Sequence, residues 1–321
     1  MKNTLKLKQF TIDNLVTNKI ERIMKKDNKF EGVYAVSITP FKKDGSFDFT
    51  KAKAHLDWLI ENGVQGICLL GATGEYQSIT LEEHKAYVKE MVPYIKDRVG
   101  VIVGATRERA DDVIELVNNI KKFGADAAMV LTPPYCHPSQ DEVIENYRYI
   151  MEKTEFPIML YNNPGSCGIN IERDTFRELF KLPYSALVKE STGSIQKATE
   201  ILMDVPENIS VFCGCDSLAY ESFTVGTCGW ISMLANVAPQ DCVALFKTVY
   251  KEKNLEKGWT IYRKILPGLN LLESFAKPVQ ALKCVANRKT GNGGYSRRPR
   301  LELTSKEEDF VISNMNADKI K

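Results

Sequence analysis

Short apolar runs recur along the chain, separated by stretches in which apolar positions return every three to four residues. The runs are Val33–Ile38, Gly66–Leu70, Val101–Gly104, Ala127–Leu131, Pro157–Tyr161, Ala186–Lys189, Ser210–Cys213 and Gly229–Ser232. They are apolar on both faces and mostly free of internal breakers, as buried parallel strands are. The intervening pattern predicts helices over Lys51–Asn62, Leu81–Ile95, Asp111–Phe123, Gln140–Lys153, Arg173–Phe180, Ile195–Met203 and Ser217–Thr224, with Gln240–Lys251 after the last strand. Thr80 followed by Glu82 and Glu83 reads as an N-cap with an acidic first turn. Eight strand–helix repeats predict an α/β fold, a (β/α)8 barrel. A doubly wound sheet would show fewer strands and usually a Gly-rich phosphate turn, and neither GxGxxG nor GxxxxGK[ST] occurs. Beyond residue 253 the helical pattern continues through Trp259, Ile261, Tyr262, Ile265, Leu266, Leu269, Leu271 and Leu272. This predicts a barrel over 30–252 and a C-terminal helical subdomain over 253–321, with a Gly- and Arg-rich loop at Asn292–Arg300 and a last short helix near 305–315.

Composition narrows the class. At roughly 150 residues per domain, 321 residues would suggest two domains, but a single barrel also fits. Hydrophobic residues make up 44% and charged residues 26%, which supplies a core and excludes whole-chain disorder. The net charge of +2 is too small to point to nucleic acid as the main partner. Residues 1–30 hold eight basic and three acidic residues, a net of +5, which leaves −3 for the remaining 291. Residues 1–29 are therefore expected to be a flexible leader, with Met24 an alternative start. No apolar run reaches the roughly 18 residues of a membrane span, and the leader lacks a signal peptide's apolar region. The eight cysteines include no CxxC. Cys213 and Cys215 form only a CxC, so no metal site is expected. Several cysteines lie in apolar runs, which fits a reducing cytoplasm.

In a barrel of this kind the chemistry gathers where strands end. The second run leads into Gly71-Ala72-Thr73-Gly74-Glu75, whose backbone N–H groups and threonine hydroxyl suit a carboxylate, though a plain tight turn fits as well. The fourth ends in Thr132-Pro133-Pro134-Tyr135, where the prolines stiffen the exit and hold Tyr135 at the rim or pack it. The fifth ends in Tyr161-Asn162-Asn163-Pro164, where a phenol can pass a proton or serve structure alone. The sixth ends in Lys189-Glu190-Ser191-Thr192. Burying an ammonium is costly, and a neutral amine attacks a ketone to form an imine. The other reading pairs Lys189 with Glu190 or Glu75.

Taken in order, Phe30-Glu31-Gly32-Val33 with Thr39-Pro40-Phe41, Gly71–Glu75, Pro133-Pro134-Tyr135, Tyr161–Pro164 and Val188–Gly193 resemble the dihydrodipicolinate synthase/N-acetylneuraminate lyase family over roughly residues 30–310. Gly214, Asp216 and Gly229-Trp230-Ile231-Ser232 match further family positions. The resemblance implies a metal-independent class I lyase or aldolase that needs no cofactor, because Lys189 forms an imine with pyruvate or another 2-oxo acid. It implies Tyr161 as proton shuttle, Thr73 and Gly74 as carboxylate holders, and Tyr135 reaching across a dimer interface into the neighbouring site. It also implies a homotetramer and places the Ile231 carbonyl beside the lysine.

Departures from the family pattern concern the substrate. Ala72 stands where dihydrodipicolinate synthases carry a relay threonine, and Ser166 where they carry an arginine for the aldehyde's carboxylate. Ala72, Ser217 and Met233 depart from neuraminate lyases. The expected substrate is therefore another 2-oxo acid, such as a 2-oxo-3-deoxy sugar acid, with Ser166, Ser191 and Asp216 as hydroxyl readers. 4-Hydroxy-tetrahydrodipicolinate synthase is the alternative. A non-catalytic 2-oxo-acid sensor is another reading. A phosphosugar aldolase is a further one, but Gly226–Gly229 precedes the eighth run rather than following it.

Overall fold

The computed structural model describes residues 30–321; the basic leader and Met24 lie outside them. The eight strands are β1 (Gly32–Val36), β2 (Gly66–Leu69), β3 (Gly100–Gly104), β4 (Ala127–Leu131), β5 (Ile158–Asn162), β6 (Ser185–Glu190), β7 (Ser210–Cys213) and β8 (Gly229–Ser232). They pair in parallel in sequence order, and β1 pairs with β8 to close the barrel. Each expected apolar run forms a strand because helices cover the outer face while side chains fill the inside.

Helices follow the strands much as the periodicity predicts, among them Phe49–Glu61, Leu81–Ile95, Ala110–Phe123 and Gln140–Thr154. Thr80 accepts from the Glu83 N–H while Glu83 reaches back to the Thr80 N–H, a full capping box. The expected helix at Gln240–Lys251 is a helix over Pro239–Phe246 that widens into a π-turn over Lys247–Lys251. Two helices carry no signal in the apolar pattern. One is a single turn at Pro164–Cys167. The other, Pro278–Thr290, buries Gln280 and Lys283 beside Val279, Ala281, Leu282, Val285 and Ala286, so its inward face is not an apolar stripe.

The barrel is plugged where its strands begin. Tyr34 and Phe212 meet edge to face there, with ring centroids 5.2 Å apart. Gly66 and Gly229, first residues of their strands, make room for these rings: a Cβ on Gly66 would lie 2.1 Å from the Tyr34 ring, and one on Gly229 2.3 Å from Phe212. These rings fill the barrel interior on the side where its strands begin. No helix among the described residues is long and apolar enough to cross a membrane.

Two histidines are sealed in the shell. His55 bonds through Nε2 to Asn236 Oδ1, and Asn236 also accepts from the Ile38 N–H and donates to the Val36 carbonyl. His84 Nε2 lies 2.7 Å from the Gly104 carbonyl. Burial pushes both imidazoles down to about 4, against the pull of these bonds. Each is neutral in the fold, so its contribution is complete above the unfolded value near 6.5. Below that the unfolded chain takes up protons the folded one refuses, and stability falls by about 1.4 kcal/mol per pH unit per histidine until about pH 4. Urea midpoints measured from pH 8 to pH 4.5 should drop below pH 6.5, and His84→Gln should flatten part of that drop.

Candidate active site

Lys189 lies near the end of β6, in register with Tyr161 on β5 and Phe212 on β7. Only 5% of its surface is exposed, and Nζ sits 4.1 Å from the centre of the Tyr161 ring. Neither carboxylate weighed as its partner holds it: Glu75 pairs with Lys283, and Glu190 accepts from Asn162 Nδ2 and the Thr192 N–H. Burial raises the Glu190 carboxyl above its ordinary range, against those two donors. Lys189 Nζ contacts the ring face, and no carboxylate among the described residues lies within ion-pair distance of it. Gly214 gives it space, because a Cβ there would come within 2.8 Å of the lysine Cγ and 2.0 Å of Ser191 Oγ. The Ser191 hydroxyl is buried without a partner, which leaves it free for a ligand.

Tyr161 is 6% exposed, and its hydroxyl oxygen accepts from Asn163 Nδ2 at 2.8 Å. A phenol that accepts there keeps its own proton for another acceptor. Cys68 ties this pair to the β2 exit. Burial pushes its thiol up to about 12 while the nearby Lys189 charge opposes the shift. A Cβ on Gly71 would lie 3.9 Å from the same sulfur.

The turn Gly71–Glu75 is bracketed by Leu70 at φ +52° and Glu75 at φ +60°, left-handed conformations that cost a non-glycine residue energy and gather at functional sites. The backbone N–H groups of Ala72, Thr73 and Gly74 find no acceptor among the described residues. Three such donors in a row form an anion cradle. What holds it is a buried ion pair. Glu75 is fully buried and Lys283 is 2% exposed. Lys283 Nζ donates to Glu75 Oε1 at 2.5 Å, to the Tyr295 carbonyl at 2.6 Å and to the Thr39 carbonyl at 2.8 Å. Glu75 Oε2 accepts from the Arg297 N–H and lies 3.8 Å from Arg300. The helix absent from the apolar pattern thus carries the residue that clamps the cradle.

The other expected residues divide. Ile231 is buried in β8. Asp216 is not open to a ligand as a hydroxyl reader: Oδ1 accepts from Trp230 Nε1 and the Met233 N–H, and Oδ2 from the Leu234 N–H. Burial, then Glu273, push it up to about 7 against those donors. Ser166 is exposed on the one-turn helix after β5. Tyr135 is 86% exposed, its N–H and that of Cys136 held by Glu108, so one chain alone does not bring it to Lys189. A residue the pattern missed is Lys283, which reads in sequence as an ordinary surface position. Cys213 and Cys215 are spent locally, on the Cys215 carbonyl and on Glu273. Among the described residues no group of three His, Cys, Asp or Glu side chains could hold a metal.

The Dihydrodipicolinate synthetase family matches residues 29–317. Two relatives named 4-hydroxy-tetrahydrodipicolinate synthase are similar over 288 residues, 89% of this chain. That of Methanococcus vannielii is 33% identical and matched over 98% of its length, and that of Bacillus subtilis is 30% identical and matched over 99%. The dihydrodipicolinate synthase structure of Bacillus anthracis superposes with a TM-score of 0.86 at 27% identity, over 90% of this chain and 98% of that one. The Acinetobacter baumannii enzyme, solved in complex with pyruvate, gives 0.83 at 30%, over 91% and 99%. The chain belongs to this family.

Lys283→Met should lower the unfolding free energy by about 3–5 kcal/mol, because it strands a buried carboxylate. Adding Glu75→Gln should recover part of that loss in the same urea titration.

Proposed function

We propose that this member of the dihydrodipicolinate synthetase family is a lyase-type enzyme that forms an imine between Lys189 and pyruvate or a related 2-oxo acid, with no further cofactor. The observation that carries this is the buried, unpaired Lys189 amine over the Tyr161 ring, with the free N–H groups of Ala72, Thr73 and Gly74 at the same mouth. The Lys189 amine attacks C2 of the oxo acid, the oxygen leaves as water, and an iminium forms. Loss of a C3 proton, or cleavage of a bond at C3, delivers an electron pair to the iminium and gives an enamine. The enamine then attacks an aldehyde carbon or takes up a proton. Hydrolysis releases product and the free amine. Tyr161 moves protons at the imine and at the departing oxygen. The turn holds the carboxylate, and Ser191 offers a hydroxyl beside it.

The names of the relatives favour one finer reading, 4-hydroxy-tetrahydrodipicolinate synthase. They support it better than a 2-oxo-3-deoxy sugar acid lyase. The residues that favour the second reading are Ala72, which offers the cradle no hydroxyl, and the exposed Ser166, which cannot grip a carboxylate as a guanidinium does.

The exposed Tyr135 supports assembly with a second copy, in which it enters the partner's site, and we place it in a homotetramer built from such dimers. The eight unpaired cysteines support a reducing cytoplasm.

Pyruvate plus borohydride should add one reduced pyruvoyl unit to the intact mass, and Lys189→Ala should abolish it; an adduct that survives this substitution removes the mechanism. Aspartate semialdehyde with pyruvate, run beside a panel of 2-oxo-3-deoxy acids, should separate the two substrate readings by turnover. Tyr161→Phe should lower kcat by about 10²–10⁴. Chains carrying Tyr135→Phe and Lys189→Ala, each inactive alone, should regain activity when mixed and reassembled.

A further inference from the structure

The Tyr161 phenol is held from its own strand exit. Its oxygen accepts a hydrogen bond from Asn163 Nδ2 at 2.8 Å. Residues two apart in extended chain share a face. Strand β5 ends at Asn162, but Asn163 keeps an extended φ of −147°, so its side chain stays on the face that Tyr161 uses. Pro164 then stops the strand and opens the single turn Pro164–Cys167.

The backbone around this amide is pinned on both sides. Upstream, Asn162 Nδ2 donates to Glu190 Oε2 at 2.8 Å and to Asn170 Oδ1 at 3.0 Å, while Asn162 Oδ1 accepts from the Ile171 N–H at 3.0 Å. The Asn162 carbonyl accepts from the Ser191 N–H, at the exit of the strand that carries Lys189. Downstream, the Asn163 carbonyl accepts from the N–H groups of Ser166 and Cys167 and from the Cys167 thiol. Gly165 leaves room for the amide oxygen, since a Cβ there would lie 3.4 Å from Asn163 Oδ1. The oxygen thus faces Gly165 and the nitrogen faces the phenol.

An amide nitrogen donates and cannot accept. The phenol oxygen is therefore tethered, and its proton goes to a group other than Asn163. A hydrogen bond strengthens when its acceptor is charged. The Tyr161 oxygen is charged only while its proton is with the substrate, so the bond acts in the proton step rather than in binding. We infer that Asn163 is a positioning residue for imine formation: its amide fixes the Tyr161 oxygen and stabilises it while the proton is away, and Asn162 with Glu190 keeps that amide in register with the Lys189 strand. This rests on the imine-forming reading and adds a residue to it. In that step Tyr161 carries the proton shed by the adding nitrogen to the oxygen on C2. A second proton, from water, lets this oxygen leave as water while the nitrogen lone pair closes the C=N bond.

The full-length protein is mixed with pyruvate and quenched into borohydride at set times, and intact mass gives the rate of imine formation and its dependence on pyruvate. Asn163→Ala should lower the maximal rate about 10- to 100-fold and leave the half-saturating pyruvate concentration unchanged. Added to Tyr161→Phe, the same change should have no further effect, because the oxygen it acts on is gone. Asn163→Asp keeps the side chain's size but turns acceptors to the phenol, and should be at least as slow as Asn163→Ala. A merely structural role would slow both backgrounds by the same factor or raise the half-saturating concentration, and either result overturns the inference. So does a wild-type rate in Asn163→Ala or Asn163→Asp. Absence of any adduct in the unsubstituted chain overturns the imine reading itself, and this inference with it.

Discussion

The carboxylate of Glu75 has no contact with solvent, and the ammonium of Lys283 almost none. Removing two charges from water costs several kcal/mol per ion, and their attraction repays this only when every remaining donor and acceptor is satisfied. Here they are. The ammonium spends its three donors on Glu75, Thr39 and Tyr295, and the second Glu75 oxygen takes the Arg297 N–H. The pair joins the exit of β1, the turn after β2 and the segment after the helix Pro278–Thr290. Its value lies in conformation rather than net stability: it holds a turn with two left-handed non-glycine residues in the one shape that leaves three N–H groups free.

The mouth is assembled from groups left incomplete. Lys189 lacks a carboxylate, Ser191 lacks a partner, and the turn offers unused N–H groups. Nearby buried polar groups are closed off, as Asp216 and Asn236 show with three bonds each or more. Groups left unpaired together at one strand-end mouth are the kind that a ligand can complete. The plug of Tyr34 and Phe212 adds a floor, so that a ligand enters from one end and meets these groups together.

Much of this was legible along the chain, for definite reasons. A strand buried on both faces reads as an unbroken apolar run, so all eight strands stand where those runs lie, and a lysine closing such a run must project into the interior. Thr80 and Glu83 announce their helix because capping is a local matter. Other features were illegible because their signals are non-local. The helix at Pro278–Thr290 is masked by Lys283, whose burial makes sense only beside Glu75, 208 positions away. Asp216 reads in sequence as a free acidic residue at a strand end. Only the fold brings Trp230, Met233 and Leu234 onto it.

By itself, then, the sequence determined the repeating strand–helix order, the closed barrel and the placing of Lys189 and Tyr161 at strand ends, because hydrophobic period and strand-end position are properties of neighbouring residues. Tertiary structure alone decided which polar groups became neutralised and which stayed available: Glu75 claimed by Lys283, Asp216 claimed by three donors, Tyr135 turned outward, Lys189 left without a carboxylate. The physical reason is that the satisfaction of a charge or hydrogen bond is a contest among groups distant in sequence, and only the closed barrel brings the contestants together.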